Sequence, residues 1–186
     1  CVVIGGAMAN TFLLSKDIMV GKSLVEQDLV EVAKDIETKA VQFNCKLILP
    51  LDVICGKSIE DREPVEFDIN DISKNYMILD LGTKTTALIN QEIKNSKMVL
   101  WNGPVGAFEY KSYERATNEI ALNIKQNVKQ FGINALAGGG DTVSAIKNAN
   151  AEDGFDYISN AGGAFLEWLE GNQSPGVIAL RENNLS

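Results

Sequence analysis

Five times along this chain a short apolar run is followed by a glycine-bearing turn and then by an amphipathic stretch. Val2–Ile4 leads through Gly5 and Gly6 into Met8–Leu13, and Met77–Leu81 leads through Gly82 into Thr85–Ile93. Met98–Trp101 passes through Asn102, Gly103, Pro104, Val105 and Gly106 to a helix expected over about Tyr113–Phe131. Ile133–Ala137 leads through Gly138, Gly139 and Gly140 into Asp141–Asn148, and Tyr157–Ser159 leads through Gly162 and Gly163 into Phe165–Leu169. Strands this short and this apolar on both faces belong to a buried parallel sheet. Their alternation with helices predicts an α/β fold, here a Rossmann-like three-layer α/β/α arrangement with a mainly parallel sheet.

A further unit joins the pattern. Ser23 and Glu26 have capping-box spacing, which predicts a helix opening at Ser23. Its apolar face would be Val25, Leu29, Val32, Ile36 and Ala40, ending near Asn44, with Lys46–Pro50 following as a strand. Between Cys55 and Lys74 the charged, proline-containing sequence predicts an excursion outside the main sheet, with short edge strands. The tail from Gly171 to Ser186 reads as a surface extension. The chain opens on Cys1–Ile4, a strand already under way, so residues 1–186 are expected to form one N-terminally truncated domain.

Seventeen basic against 25 acidic residues give a formal charge of −8, which argues against a nucleic-acid surface. Phosphates remain possible ligands, because backbone N–H groups and a metal ion can hold them. No apolar run approaches the ~20 residues of a membrane span, so no membrane partner is expected. Three cysteines without CxxC spacing favour a reducing, cytoplasmic setting over a disulfide framework or zinc site. The absence of histidine removes Ser-His-Asp hydrolysis, Cys-His chemistry and His-ligated metals together.

In an open parallel sheet, ligands bind beyond the carboxyl ends of the strands, where all five glycine turns fall. Such glycines can also serve only to make tight turns. Five on one edge, including a triplet, favour a ligand. Gly138–Gly140 leave a strand without side chains, so phosphate oxygens can approach the backbone, and the following helix offers free N–H groups. Asp141 could cap that helix or hold Mg²⁺ bridging phosphates. Thr142 could donate a hydroxyl to phosphate or simply occupy the first helical turn. In Trp101–Glu109 (WNGPVGAFE), Pro104 stiffens a glycine-flanked loop and Asn102 offers amide donors and an acceptor. Taken alone, Asn102 reads as a turn residue and Glu109 as a solvated carboxylate. Walker A fails, because Lys16 and Leu51 stand five residues before Gly21-Lys22-Ser23 and Gly56-Lys57-Ser58. No strand leads into GxGxxG, which weakens a nicotinamide-dependent dehydrogenase reading.

Taken together, Ile4–Phe12 (IGGAMANTF), Gly21–Leu24 (GKSL), Leu49–Val53 (LPLDV), Trp101–Glu109, Gly138–Thr142 and Ser159–Gly176 closely resemble the phosphoglycerate kinase family, in its order and spacing. The resemblance implies the nucleotide-binding C-terminal half of a two-domain, hinge-bending glycolytic enzyme. That enzyme moves a phosphoryl group between 1,3-bisphosphoglycerate and ADP, giving 3-phosphoglycerate and ATP, with Mg²⁺. It implies Gly6 and Ala7 against adenine, Ile78, Leu79 and Ala107 as the pocket wall with Pro104 among the nucleotide contacts, Asn102 near the phosphates, and Glu109 on the ribose. Gly138, Gly139, Gly140, Asp141 and Thr142 would form the phosphate and magnesium turn, Asp141 being the metal ligand. Gly162 and Gly163 would supply the catalytic amides that stabilise the transferring phosphoryl group.

Ile78, Thr83 and Asn160 depart from the residues common in that family. The basic clamp for the acyl phosphate belongs, by the same resemblance, to an N-terminal substrate domain absent from this sequence, and a lysine-bearing glycine segment would precede Cys1. A monomer is expected, binding MgADP or MgATP but inactive by itself in transfer. The competing expectation is a non-catalytic α/β binding module.

Overall fold

The computed structural model, which describes residues 1–171, contains eight strands and six α-helices among those residues. The first strand β1 (Val2–Val3) runs into helix α1 (Gly6–Ser15). A 3₁₀ turn at Gln27–Leu29 leads into α2 (Val30–Gln42), followed by β2 (Leu47–Ile48) and β3 (Asp52–Gly56). Next come β4 (Val65–Asp68), β5 (Met77–Leu81), α3 (Thr83–Asn95) and β6 (Met98–Asn102). The chain continues with α4 (Arg115–Phe131), β7 (Asn134–Gly138), α5 (Gly140–Asn148), β8 (Tyr157–Ser159) and α6 (Gly162–Leu169). The expected surface tail lies outside the described residues beyond Gly171.

The mainly parallel α/β architecture is present. Strands β6, β7 and β8 pair in parallel in that order, and β1 pairs in parallel with β2. Two expectations need correction. The parallel strands form two units rather than one sheet: among the described residues β1 hydrogen-bonds only to β2, and β6 only to β7. Loops join the units instead, through the Gly6 N–H donating to the Val105 carbonyl at 3.0 Å. Second, β5 is not a parallel strand. It lies antiparallel to β3, with β4 on the far side, so the charged excursion contributes an edge strand to a separate antiparallel sheet.

The capping box at Ser23 does not form either. The Ser23 hydroxyl donates to the Val20 carbonyl and accepts the Ile78 N–H at 2.8 Å, while the Glu26 N–H donates to Thr11 Oγ1 at 3.1 Å. These tertiary bonds hold residues 23–26 against β5 and α1, and the α-helix starts only at Val30. Of that helix only Ala33 is buried; Val32 and Ile36 stay exposed.

The larger core gathers Leu81, Ile89, Trp101, Ile120, Ile124 and Ile146 where α3, α4 and α5 pack over the parallel strands. Helix α4 shows why: Ala116, Ile120, Ala121 and Ile124 recur at helical spacing on its buried side, and Gly132, at φ +65°, ends it in the left-handed conformation. A smaller cluster around Leu13, Val53, Cys55 and Ile72 holds the antiparallel sheet. Burial pushes the Cys55 thiol up to about 12, which makes it unreactive. No described helix is long and apolar enough to cross a membrane.

Candidate functional site

At the carboxyl end of β6 the chain must turn at once, and two bonds fix how. The indole N–H of buried Trp101 donates to the Gly103 carbonyl at 2.6 Å, and the Gly103 N–H donates to Thr142 Oγ1 at 2.7 Å. Gly103 has φ +91°, a conformation that side chains resist. The end of β6 is thereby tied to the first turn of α5.

The triplet after β7 makes the second strand end. Gly139 sits at φ +99°, and its N–H donates to the Ser159 carbonyl of β8 at 2.9 Å. A Cβ on Gly139 would lie 2.9 Å from Asn102 Oδ1, and a Cβ on Gly162 would lie 2.7 Å from the Gly139 Cα. Backbone therefore touches backbone here, and the ends of β6, β7 and β8 converge on one spot. Gly140 and Gly163 are different: among the described residues nothing lies within 4 Å of where their Cβ atoms would stand. Helix α5 opens there without a side-chain cap, so its first N–H groups lack a side-chain acceptor and carry the positive end of its dipole.

Asp141, the second residue of α5, is exposed and does not cap the helix; Gly139 holds the cap position. Among the described residues its carboxylate has no hydrogen-bond or ion-pair partner. Thr142 is wholly buried, and its hydroxyl oxygen is engaged by Gly103. Among the described residues no group of three or more metal-ligating side chains exists. A lone carboxylate beside bare backbone suits Mg²⁺, which takes one or two carboxylates and completes its shell with phosphate oxygens and water.

Two residues along the same loop, a cavity of about 520 Å³ opens, lined by six of the expected residues: Gly6, Ala7, Ile78, Leu79, Pro104 and Ala107. The loop is pinned on both sides, by Gly6 N–H to Val105 O and by Ala107 N–H to Leu79 O at 2.7 Å. Gly106 must be glycine, because its Cβ would fall 2.3 Å from Asp80 Oδ1. Asn102, Gly138, Gly139, Gly140, Asp141 and Thr142 lie outside the cavity lining, in the adjoining cradle with Gly162. Glu109 is exposed and lines neither. Gly163 follows Gly162 in the first turn of α6.

Sequence reasoning missed Asn10, Leu24, Ile59 and Asp80 on the cavity wall. Asn10 lies three residues after Ala7 and shares its helical face, a signal that spacing alone carried. Ile59 comes from the charged excursion and has no local signal. Asp80 is 1% exposed; burial raises its carboxyl to about 7, against the opposing pull of the Ala116 and Leu81 N–H groups and Arg115. Its Oδ2 accepts the Ala116 N–H at 2.9 Å, and its Oδ1 has no partner.

Parallel strands ending in bare backbone beside a loop-walled cavity define an open-sheet α/β protein with its cleft at the strand ends. Comparison with known proteins narrows the class. Residues 1–172 match the sequence model of phosphoglycerate kinase, and the chain belongs to that family. It is 46% identical over 182 residues to the phosphoglycerate kinase of Azorhizobium caulinodans, covering 96% of this chain and 46% of that protein. Identity to the Cereibacter sphaeroides enzyme is also 46%, over 179 residues, with 96% and 45% covered. Among solved structures, phosphoglycerate kinase from Coxiella burnetii superposes with a TM-score of 0.87 at 35% identity, over 92% of this chain and 44% of that one. The Pyrococcus horikoshii enzyme gives 0.78 at 26% identity, over 97% and 44%. The chain thus spans under half the length of the relatives it matches.

Proposed function

We propose that this chain supplies the MgADP or MgATP site for reversible phosphoryl transfer between 1,3-bisphosphoglycerate and ADP, giving 3-phosphoglycerate and ATP. The observation that carries the reading is the contact of Gly139 with Asn102 and Gly162, which brings three strand ends together with open space above Gly140 and Gly163. That space suits tetrahedral phosphate groups held by N–H donors at helix starts. The neighbouring cavity, walled by Ala7, Ile78, Leu79 and Ala107, suits a flat heterocycle.

Phosphoryl transfer asks for alignment and charge stabilisation rather than a covalent intermediate. In this reading the amides of Gly139–Thr142 orient the polyphosphate, those of Gly162 and Gly163 face the transferring group, and Asn102 fixes the turn between them. Mg²⁺, when bound with the nucleotide, neutralises phosphate charge, and Asp141 is the residue that would hold it. Glu109, two residues beyond the cavity-lining Ala107, is the residue that would meet the ribose. The acyl-phosphate side is taken to be held by basic residues in the part of the relatives that this chain does not span, so the chain alone binds nucleotide without turnover. The natural setting of such a glycolytic enzyme is the cytoplasm.

Calorimetric titration with MgADP tests the reading. Saturable binding with Mg²⁺ and much weaker binding in EDTA are expected, with no turnover of 1,3-bisphosphoglycerate. A folded chain silent to millimolar MgADP and MgATP would instead be a binding module that has lost its ligand.

A further inference from the structure

The cavity wall carries two polar atoms that the fold leaves unmatched, Oδ1 of Asp80 and Oδ1 of Asn10, and the second belongs to a neutral amide that can only accept there. Asn10 lies in α1, 2% exposed, and its Nδ2 donates to the Leu24 carbonyl at 3.0 Å. A carbonyl only accepts, so this bond fixes which end of the side chain is nitrogen. The other end, Oδ1, has no partner in the protein. Buried polar atoms are as a rule hydrogen-bonded, so an orphan acceptor on the wall of a cavity marks a place for a donor that the chain itself does not provide.

Position narrows that donor. Asn10 is four residues beyond Gly6, about 6 Å further along the helix axis from the loop that borders the cradle. A nucleotide with its phosphates in the cradle would present its base, the most distant part, to that end of the cavity. Apart from Lys22, Asp80 and Asn10 itself, the side chains lining this cavity are apolar, Ala7, Leu24 and Leu79 among them, which suits a flat ring rather than a sugar. In adenine the only N–H groups belong to the exocyclic amine.

We propose that Asn10 is a base-selecting residue, its Oδ1 accepting a hydrogen bond from the 6-amino group of a purine seated in the cavity. This rests on the nucleotide reading above, and its test separates the two. The affinities of the chain for MgADP and for the magnesium complex of the 6-unsubstituted purine riboside diphosphate are measured by calorimetry. One added hydrogen bond predicts about a tenfold preference for ADP. In Asn10→Leu, and independently in Asn10→Ala, the preference falls towards one. General damage to the fold weakens both nucleotides alike and leaves their ratio unchanged, and the wild-type ratio needs no variant at all. Equal wild-type affinities, or a preference that survives both substitutions, would overturn the role of Asn10 while leaving the nucleotide reading in place. If the folded wild-type chain binds neither nucleotide, both fall.

Discussion

Two buried aspartates show how closely a side chain's partners decide its chemistry. Asp52 is 3% exposed, and desolvation alone would raise its carboxyl. The Thr85 hydroxyl and the Lys84 and Thr85 N–H groups outweigh that, and the net shift is downward. Asp80, as buried, has too few donors and is raised to about 7. The stability consequences have opposite signs. Asp52 contributes above its unfolded value near 3.8 and loses that contribution as pH falls further into acid. Asp80 contributes fully below 3.8, and its contribution is lost as pH rises towards about 7. In Asp80→Asn, melting temperatures measured across that interval should lose this downward component; an unchanged pH profile would contradict it. At the proposed nucleotide site, Asp141→Ala should weaken MgADP about ten- to hundredfold, since bonds to charged groups are the strong ones. It should leave metal-free ADP nearly unaffected. Equal loss with and without Mg²⁺ would remove Asp141 from the metal.

At the scale of elements, α3 depends on strands that precede it. Its first N–H groups are taken by Glu66 of β4, at Thr83, and by Asp52 of β3, at Lys84 and Thr85. Replacing Asp52 by Ala should cost about 1–3 kcal/mol by denaturant unfolding. The glycine turns divide into two kinds, and alanine tells them apart. Gly162→Ala sets a Cβ against the Gly139 backbone, and Gly139→Ala adds a left-handed strain of about 1–3 kcal/mol. Both should lower stability and binding together. Gly140→Ala and Gly163→Ala meet open space, so they should keep the melting temperature and lose MgADP affinity. If they keep both, the glycines only make turns.

The α/β alternation and the helix that follows each glycine turn were legible because the periodicities of these segments are local. Two features of the fold were not. The antiparallel course of β5 depends on β3 and β4, whose pairing no local pattern announces. Ser23 has the sequence of a cap but serves as a tertiary strut between Val20 and Ile78. Of the site, the glycines, Asn102 and the cavity wall at Ala7, Ile78, Leu79 and Ala107 were foreseeable from composition and resemblance. Asn10 and Asp80 were not singled out, because what distinguishes them is an atom left unpaired after folding.

For the whole molecule, the central claim is that uncovered main chain at neighbouring strand ends is where a magnesium-bound polyphosphate rests. Backbone amide NMR of the uniformly labelled chain during MgADP addition reads this directly. The largest changes are predicted at Gly139–Thr142, Gly162 and Gly163, with a second group at Gly6 and Ala7. Changes centred elsewhere, for instance in the apolar hollow formed by Val2, Ile36 and Phe43, or no saturable change in the glycine amides, would contradict it.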